Sequence, residues 1–264
     1  MTDYIDIGVN LTGSSFAHDL AEVIARARAV GVHRMIVTGT DVEHSQRASA
    51  LCEQYPGVLY ATAGMHPHHA NDFNQDAELG LRQLAALPHV VALGECGLDY
   101  NRNYSSPQAQ RKAFEAQLAI ACELKLPVFL HQRDAHADFV AMLESHRRDL
   151  VDVVVHCFTE GETIAQEYIE LGFYLGITGW ICDERRGGAL QQAVKSVPLD
   201  RIMLETDAPY LLPRDLSVLP TDRRRNEPYL LPHIAEVTAR YMDIDPQQLV
   251  QAALQNSENF FRLD

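Results

Sequence analysis

Several short apolar runs in this sequence close on a histidine or a carboxylate. Val58–Ala63 leads into Gly64-Met65-His66-Pro67-His68, and Val90–Glu95 closes on Glu95. Val128–His131 ends on His131, Val151–His156 on His156, and Arg201–Thr206 leads through Glu205 to Asp207. A single strand-end histidine is more often a satisfied rim side chain than a ligand. Repeated on independent strands, imidazoles and carboxylates make a donor set that can hold a divalent cation and still leave positions for water and substrate. Glu95, His131 and His156 end three successive runs, so they are the expected metal ligands, with Glu95 also a catalytic carboxylate. Asp207 is expected as a further ligand or as the base for a bound water. Glu205, two residues earlier, shares a strand face with Asp207. It could orient a ligand from behind or belong to a buried ion pair.

Such residues need elements that aim them at one place. β-branched apolar runs alternate with helical periodicity along the whole chain. The expected strands are Tyr4–Asn10, Arg34–Thr38, Val58–Ala63, Val90–Glu95, Val128–His131, Val151–His156, Phe173–Thr178 and Arg201–Thr206. Phe16, Leu20, Val23, Ile24 and Ala27 fall on one helical stripe, and Phe114, Leu118, Ala121 and Cys122 on another. Ser106 is placed to cap the second helix, with Pro107 at its first position. A Pro- and Arg-rich loop, Pro213 to Pro228, precedes two more helices over roughly 230–241 and 246–261. Eight strand–helix units predict a (β/α)8 TIM barrel in a single domain over residues 1–264, whose chemistry sits at the C-terminal ends of the strands. An open doubly wound sheet would be expected to carry a Gly-rich phosphate loop, and the sequence has neither GxGxxG nor GxxxxGK[ST].

The remaining candidates have plainer readings. His18, His33, His44, His89, His136, His146 and His233 are expected at the surface, and His69 as an extension of its loop. Cys96 and Cys157 follow ligand candidates but read as small packing residues. Trp180 is either a cap on the core or a platform on which a base could stack. With 22 Lys plus Arg against 36 Asp plus Glu, the net charge of −14 excludes a broad basic face that tracks a long duplex, while leaving room for a local grip by a metal and a few arginines. Five cysteines without a CxxC pair argue against a disulfide framework. No basic leader and no membrane-length apolar run stand out, so a reduced, cytoplasmic protein is expected.

Taken together, Gly64-Met65-His66-Pro67-His68, Gly94-Glu95-Cys96-Gly97-Leu98-Asp99, His131-Gln132-Arg133-Asp134-Ala135, His156-Cys157-Phe158-Thr159, Glu205-Thr206-Asp207-Ala208-Pro209-Tyr210-Leu211 and Arg225-Asn226-Glu227-Pro228 resemble, end to end, the TatD family of metal-dependent deoxyribonucleases. The resemblance implies a 3′→5′ exonuclease on single-stranded DNA, with RNA as an open alternative, acting through a metal-activated water in DNA repair or turnover. No membrane partner is expected, and the protein is expected to be a monomer. The sequence departs from the family at its first strand. Where relatives carry Asp-x-His-x-His, this chain reads Asp6-Ile7-Gly8-Val9-Asn10, without either histidine. Losing nitrogen donors while keeping oxygens shifts the preference from zinc toward hard cations, so Mg²⁺ is expected, with Mn²⁺ able to substitute. In that frame His66 and His68 would bind phosphate or pass a proton to the leaving oxygen. Arg133 could hold a phosphate bidentately, Arg225 could join it, and Asn10 would offer its carbonyl oxygen. Arg223 and Arg224 could equally be a solvated face. Two rival readings stay open: a metal-dependent hydrolase of a small amide or ester on the same barrel, and a binding protein that has lost catalysis.

Overall fold

A computed structural model describes residues 3–218, 220, 222 and 224–263. All eight expected strands form: β1 (Tyr4–Val9), β2 (Val32–Val37), β3 (Leu59–Ala63), β4 (Val90–Asp99), β5 (Val128–Arg133), β6 (Val153–Val155), β7 (Tyr174–Ile177) and β8 (Ile202–Leu204). They make one sheet in the order β1 through β8, the strand order of a (β/α)8 barrel. The chain divides into two compact units, Val37–Val155 and Met1–Ile36 with His156–Asp264.

The unit Val37–Val155 holds β3 to β6 with α2 (Val42–Gln54), α3 (Gln75–Ala85), α4 (Pro107–Leu124) and α5 (His136–His146). Its strands pair in parallel, β4 aligning Leu93 with Val128 and Asp99 with Arg133. β4 runs four residues further than the apolar pattern suggests, and every residue of it is buried. Two glycines let it do so. Gly94 and Gly97 have φ of +143° and +136°, where a side chain is strained, and a Cβ there would collide with the carbonyl oxygens of Phe129 and His131. Between Gly94 and Cys96 the register against β5 shifts, a bulge of the kind that re-aims a side chain. α4 starts as its sequence dictates: Ser106 Oγ accepts the Ala109 amide at 3.2 Å, with Pro107 in the first turn. It buries Phe114, Leu118 and Ala121, each worth about 1–3 kcal/mol of apolar burial or less for the alanine. Cys122, expected on the same stripe, is only half-buried.

The other unit holds β1, β2 up to Ile36, β7, β8, and α1 (Leu20–Ala29), α6 (Glu162–Glu170), α7 (Gly188–Ala193), α8 (Leu231–Met242) and α9 (Pro246–Phe261). β7 and β8 pair in parallel from Leu175–Ile202 to Ile177–Leu204. β1 meets the chain just after β8 through a Val9–Ala208 bridge, with Asn10 N donating to Ala208 O at 2.7 Å and Asp207 N to Gly8 O at 2.9 Å. The Asn256 amide of α9 fastens to the Leu199 and Ile202 carbonyls at 2.8 Å each. α1 starts later than its stripe implies: Phe16 is buried but belongs to a separate 3-10 turn, Ser14–Phe16. β6 and β8 are also shorter than expected, at three residues each, so His156 and Glu205-Thr206-Asp207 stand just beyond the strands. Cys157 and Asp207 take left-handed φ of +47° and +55°, so no extended run continues past them. Among the described residues, no helix is long and apolar enough to cross a membrane.

Candidate functional site

Within Val37–Val155, β4 delivers Glu95, β5 delivers His131, and the turn after β3 delivers His66 and His68. The backbone of this group is fixed first: Glu95 N donates to Gly39 O at 2.7 Å and His66 N to Thr40 O at 2.9 Å. α4 adds two glutamines seven residues apart on its buried face. Gln117 Oε1 accepts the Met65 amide at 2.7 Å and its Nε2 donates to the Met65 carbonyl at 3.1 Å. Gln110 does the same for Asp99, at 2.8 and 3.0 Å. Neither glutamine belongs to a motif, and their one signal in the sequence is two amides spaced i, i+7 on an apolar stripe.

The side chains then converge. Glu95 Oε1 lies 3.3 Å from His66 Nε2 and 3.2 Å from His131 Nδ1. One ligand atom from each of His66, Glu95 and His131 can be chosen so that all three lie within 4.8 Å of one another, a group that could hold a metal ion. His66 Nδ1 accepts the His68 amide at 3.1 Å, so its Nε2 is the nitrogen turned to the group. Burial pushes the His66 imidazole down to about 4, against the pull of Glu95, so it is neutral at ordinary pH and, with Nδ1 accepting, carries its proton on the Nε2 that faces Glu95. His131 Nε2 lies 3.3 Å from Asp99 Oδ2, and His68 Nε2 2.9 Å from the same oxygen. Asp99 Oδ1 accepts the amides of Asn101 and Arg102 at 3.0 and 2.8 Å. Burial opposes ionisation of Asp99, but the hydrogen bonds from His131, the Arg102 amide and His68 outweigh it and hold its carboxyl well below the usual range. A carboxylate behind a ligating imidazole is the usual way to fix its tautomer and orientation. The family resemblance implies a substrate contact for His66, whereas the structure groups it with Glu95 and His131, and nothing in the motifs points to Asp99 behind His131. His68 is turned to Asp99. Tyr104, 64% exposed, sets its ring 4.7 Å from that of His68.

The second unit contains the other expected residues. His156 is buried, its Nδ1 3.2 Å from Glu205 Oε2, and Glu205 Oε1 accepts the Cys157 amide. Asn10 Nδ2 donates to Asp207 Oδ1 at 3.0 Å. Asp6 is fully buried and accepts from Thr206 N at 2.9 Å, Thr206 Oγ1 at 2.5 Å and Gly8 N at 3.3 Å. Burial, with Glu205 nearby, pushes the Asp6 carboxyl up to about 7 against these bonds.

The arginines separate. Arg133 is exposed at the end of β5. Arg225, expected to hold phosphate, is instead committed inside the protein. Its two terminal nitrogens donate to Asp19 at 2.8 and 2.7 Å, to Ser15 O at 2.8 Å and to Glu227 at 2.6 Å. The hydrogen bond from Arg225 draws Asp19 down to about 2. Paired with two carboxylates, this guanidinium has no fork left for a phosphate. Arg224 is exposed, and Arg223 lies outside the described residues. Trp180 is half-buried, with the Arg186 guanidinium 4.3 Å over its ring, so one face is covered. Cys96 is fully buried in β4, and burial pushes its thiol up. His33 lies within β2, and of the histidines expected at the surface, His44, His89, His146 and His233 are half-buried with partners in Asp41, Ser49, Glu115 and Asp215.

A model of the family described as TatD related DNase matches residues 5–262. The 3′-5′ ssDNA/RNA exonuclease TatD of Citrobacter rodentium is 53% identical over 256 residues, 97% of each chain. That of Pantoea vagans is 50% identical over 258 residues, 98% of this chain and 99% of its own. Among solved structures, the TatD homologue YJJV of Escherichia coli K12 superposes with a TM-score of 0.90 at 28% identity, covering 99% of this chain and 98% of its own.

Proposed function

The chain belongs to the TatD-related DNase family, and from that premise we propose that it is a divalent-cation-dependent 3′→5′ exonuclease on single-stranded DNA, with RNA as a second substrate class. The observation that most supports this reading is the convergence of His66, Glu95 and His131 on one small volume, in a chain about half identical to relatives named as such exonucleases. The donor set fits a cation: two imidazole nitrogens and a carboxylate oxygen, with ligation by His66 Nε2 requiring its proton to move to Nδ1 and the bond from the His68 amide to give way. Glu95, His131 and His66 would hold the ion, and His156 and Asp207 keep the ligand role that the family resemblance gives them. A bound Mg²⁺, or Mn²⁺ in its place, would polarise a phosphoryl oxygen and lower the pKa of a water.

The chain's own residues supply the rest. Glu95 balances charge between two imidazoles, and Asp99 holds His131 in orientation from behind. Glu205 does the same for His156, and Asp207 serves as ligand or base, with Asn10 donating to its carboxylate. His68 and Arg133 bind phosphate, while Arg225 braces the loop after β8 and leaves that task to them. The exposed Tyr104 ring offers a surface on which a base can stack. The family model spans both compact units, which supports one functional domain over residues 1–264. A monomeric, cytoplasmic enzyme of DNA repair or turnover completes the proposal.

The test is a labelled single-stranded oligonucleotide incubated with EDTA-stripped protein, with and without Mg²⁺. Stepwise shortening from the 3′ end that requires added Mg²⁺ is the expected result. Release of small amides or esters with no cleavage of the oligonucleotide would replace this reading by its rival.

A further inference from the structure

A second convergence of metal-binding side chains lies within the unit Met1–Ile36 with His156–Asp264 and shares no residue with the group of His66, Glu95 and His131. Cys182 ends the 3-10 turn Gly179–Cys182 after β7, Asp215 lies in the loop between β8 and α8, and His233 sits in the first turn of α8. Three segments far apart in sequence place one ligand atom each within 4.8 Å of the other two. Asp215 Oδ1 is 2.7 Å from His233 Nε2, and the Asp215 carboxylate lies beside the Cys182 thiol within that same radius. The group has a closed end and an open end: Cys182 is 2% exposed, whereas the His233 and Asp215 side chains are 26% and 23% exposed. An ion can therefore enter from solvent and meet the sulfur at the bottom.

The donor types decide which ion that is. His66, Glu95 and His131 offer only nitrogen and oxygen. Cys182, His233 and Asp215 offer a thiolate sulfur, an imidazole nitrogen and a carboxylate oxygen, with a fourth position left to water. Sulfur donors select against Mg²⁺, which prefers an all-oxygen octahedron, and in favour of zinc and its neighbours. We propose that Cys182, Asp215 and His233 form a second metal site, selective for Zn²⁺ over Mg²⁺, that ties the loop after β8 to the β7 turn and to α8. Binding forms a sulfur–metal bond and releases the thiol proton to solvent, so the bound sulfur is a thiolate. Burial and the Asp215 carboxylate keep the thiol protonated without metal, while Arg240, the cation nearest in its effect, favours the thiolate. The site's existence does not depend on the nuclease reading, and its occupancy can be measured without any assay of activity.

The experiment titrates the EDTA-stripped full chain with cobalt(II) in excess Mg²⁺, following thiolate-to-cobalt charge-transfer absorption in the near ultraviolet. The expected result is one equivalent of such absorption, abolished by an equivalent of Zn²⁺. It should be absent in Cys182→Ser and shifted at least tenfold to higher cobalt concentration in His233→Gln, and it should be retained in Cys157→Ser. Because Cys182 is buried and its replacement could disturb folding, the half-exposed His233→Gln carries the test independently. Wild-type protein without the absorption, or absorption at wild-type affinity in either Cys182→Ser or His233→Gln, overturns the proposal.

Discussion

Asp99 and Asp6 are both buried aspartates on strands, both accept several hydrogen bonds, and they are pushed in opposite directions. Asp99 is held well below the usual carboxylate range, whereas Asp6 is pushed up to about 7. Hydrogen-bond number does not explain this, because each accepts backbone amides and a side-chain donor. The depth of desolvation does first, and neighbour type second. Asp99 faces the imidazoles of His131 and His68, which favour its ionised form. Asp6 is completely desolvated and has another carboxylate, Glu205, for company. The region around Asp99 stabilises negative charge through protonatable rings, whereas the region around Asp6 avoids it by keeping a proton.

The largest expected effects fall on the imidazole-rich region. Glu95→Ala, His131→Ala and His66→Ala should each lower turnover by at least about a hundredfold, with circular dichroism unchanged. If His66→Ala instead raises KM for the oligonucleotide and leaves metal affinity intact, His66 belongs to the substrate and the comparison narrows to two ligands. A smaller effect is expected behind His156. Glu205→Gln keeps one acceptor for the Cys157 amide but loses the charge beside the ring, so activity or metal affinity should fall about 10- to 100-fold. Full activity in that variant would reduce Glu205 to a packing residue.

The remaining effect is on stability and tests Asp6 directly. Its unfolded carboxyl ionises near 4 and its folded one near 7, so across that window the folded protein retains a proton that the unfolded chain gives up. Stability contributed by this group is therefore complete below about pH 4 and drains away as pH rises through 7, by on the order of a few kcal/mol. Asp6→Asn should flatten that decline in urea midpoints measured between pH 4 and 8. A decline identical to wild type would place the retained proton elsewhere.

Much of this was legible in the sequence because strand-end chemistry is written in order. Apolar runs closing on Glu95, His131 and His156 can be read without coordinates, as can the Ser106–Pro107 start of α4. What could not be read depends on which way a ring or a fork turns. His66 and His68 are two residues apart in one motif. Only the hydrogen bond from the His68 amide to His66 Nδ1 decides that His66 meets Glu95 while His68 goes to Asp99. Arg225 lies in a motif that looks open, yet its partner Asp19 is 206 residues away, beyond the reach of any local pattern. The extension of β4 to Asp99 was hidden for a related reason: Gly94 and Gly97 read as strand breakers unless the adjacent strand is known to approach too closely for a side chain.

Gln110 and Gln117 grip peptide groups and leave the side chains of the residues they hold untouched. Each amide takes both the N–H and the carbonyl of one strand-end residue, as a neighbouring strand would. Such a clamp is indifferent to the chemistry displayed beside it. Positions 66, 68 and 95 can therefore be rewritten for a different cation while the mould that sets their spacing stays in place. α4 is to that extent a reusable jig, and a redesign of metal preference should begin by leaving its two glutamines alone.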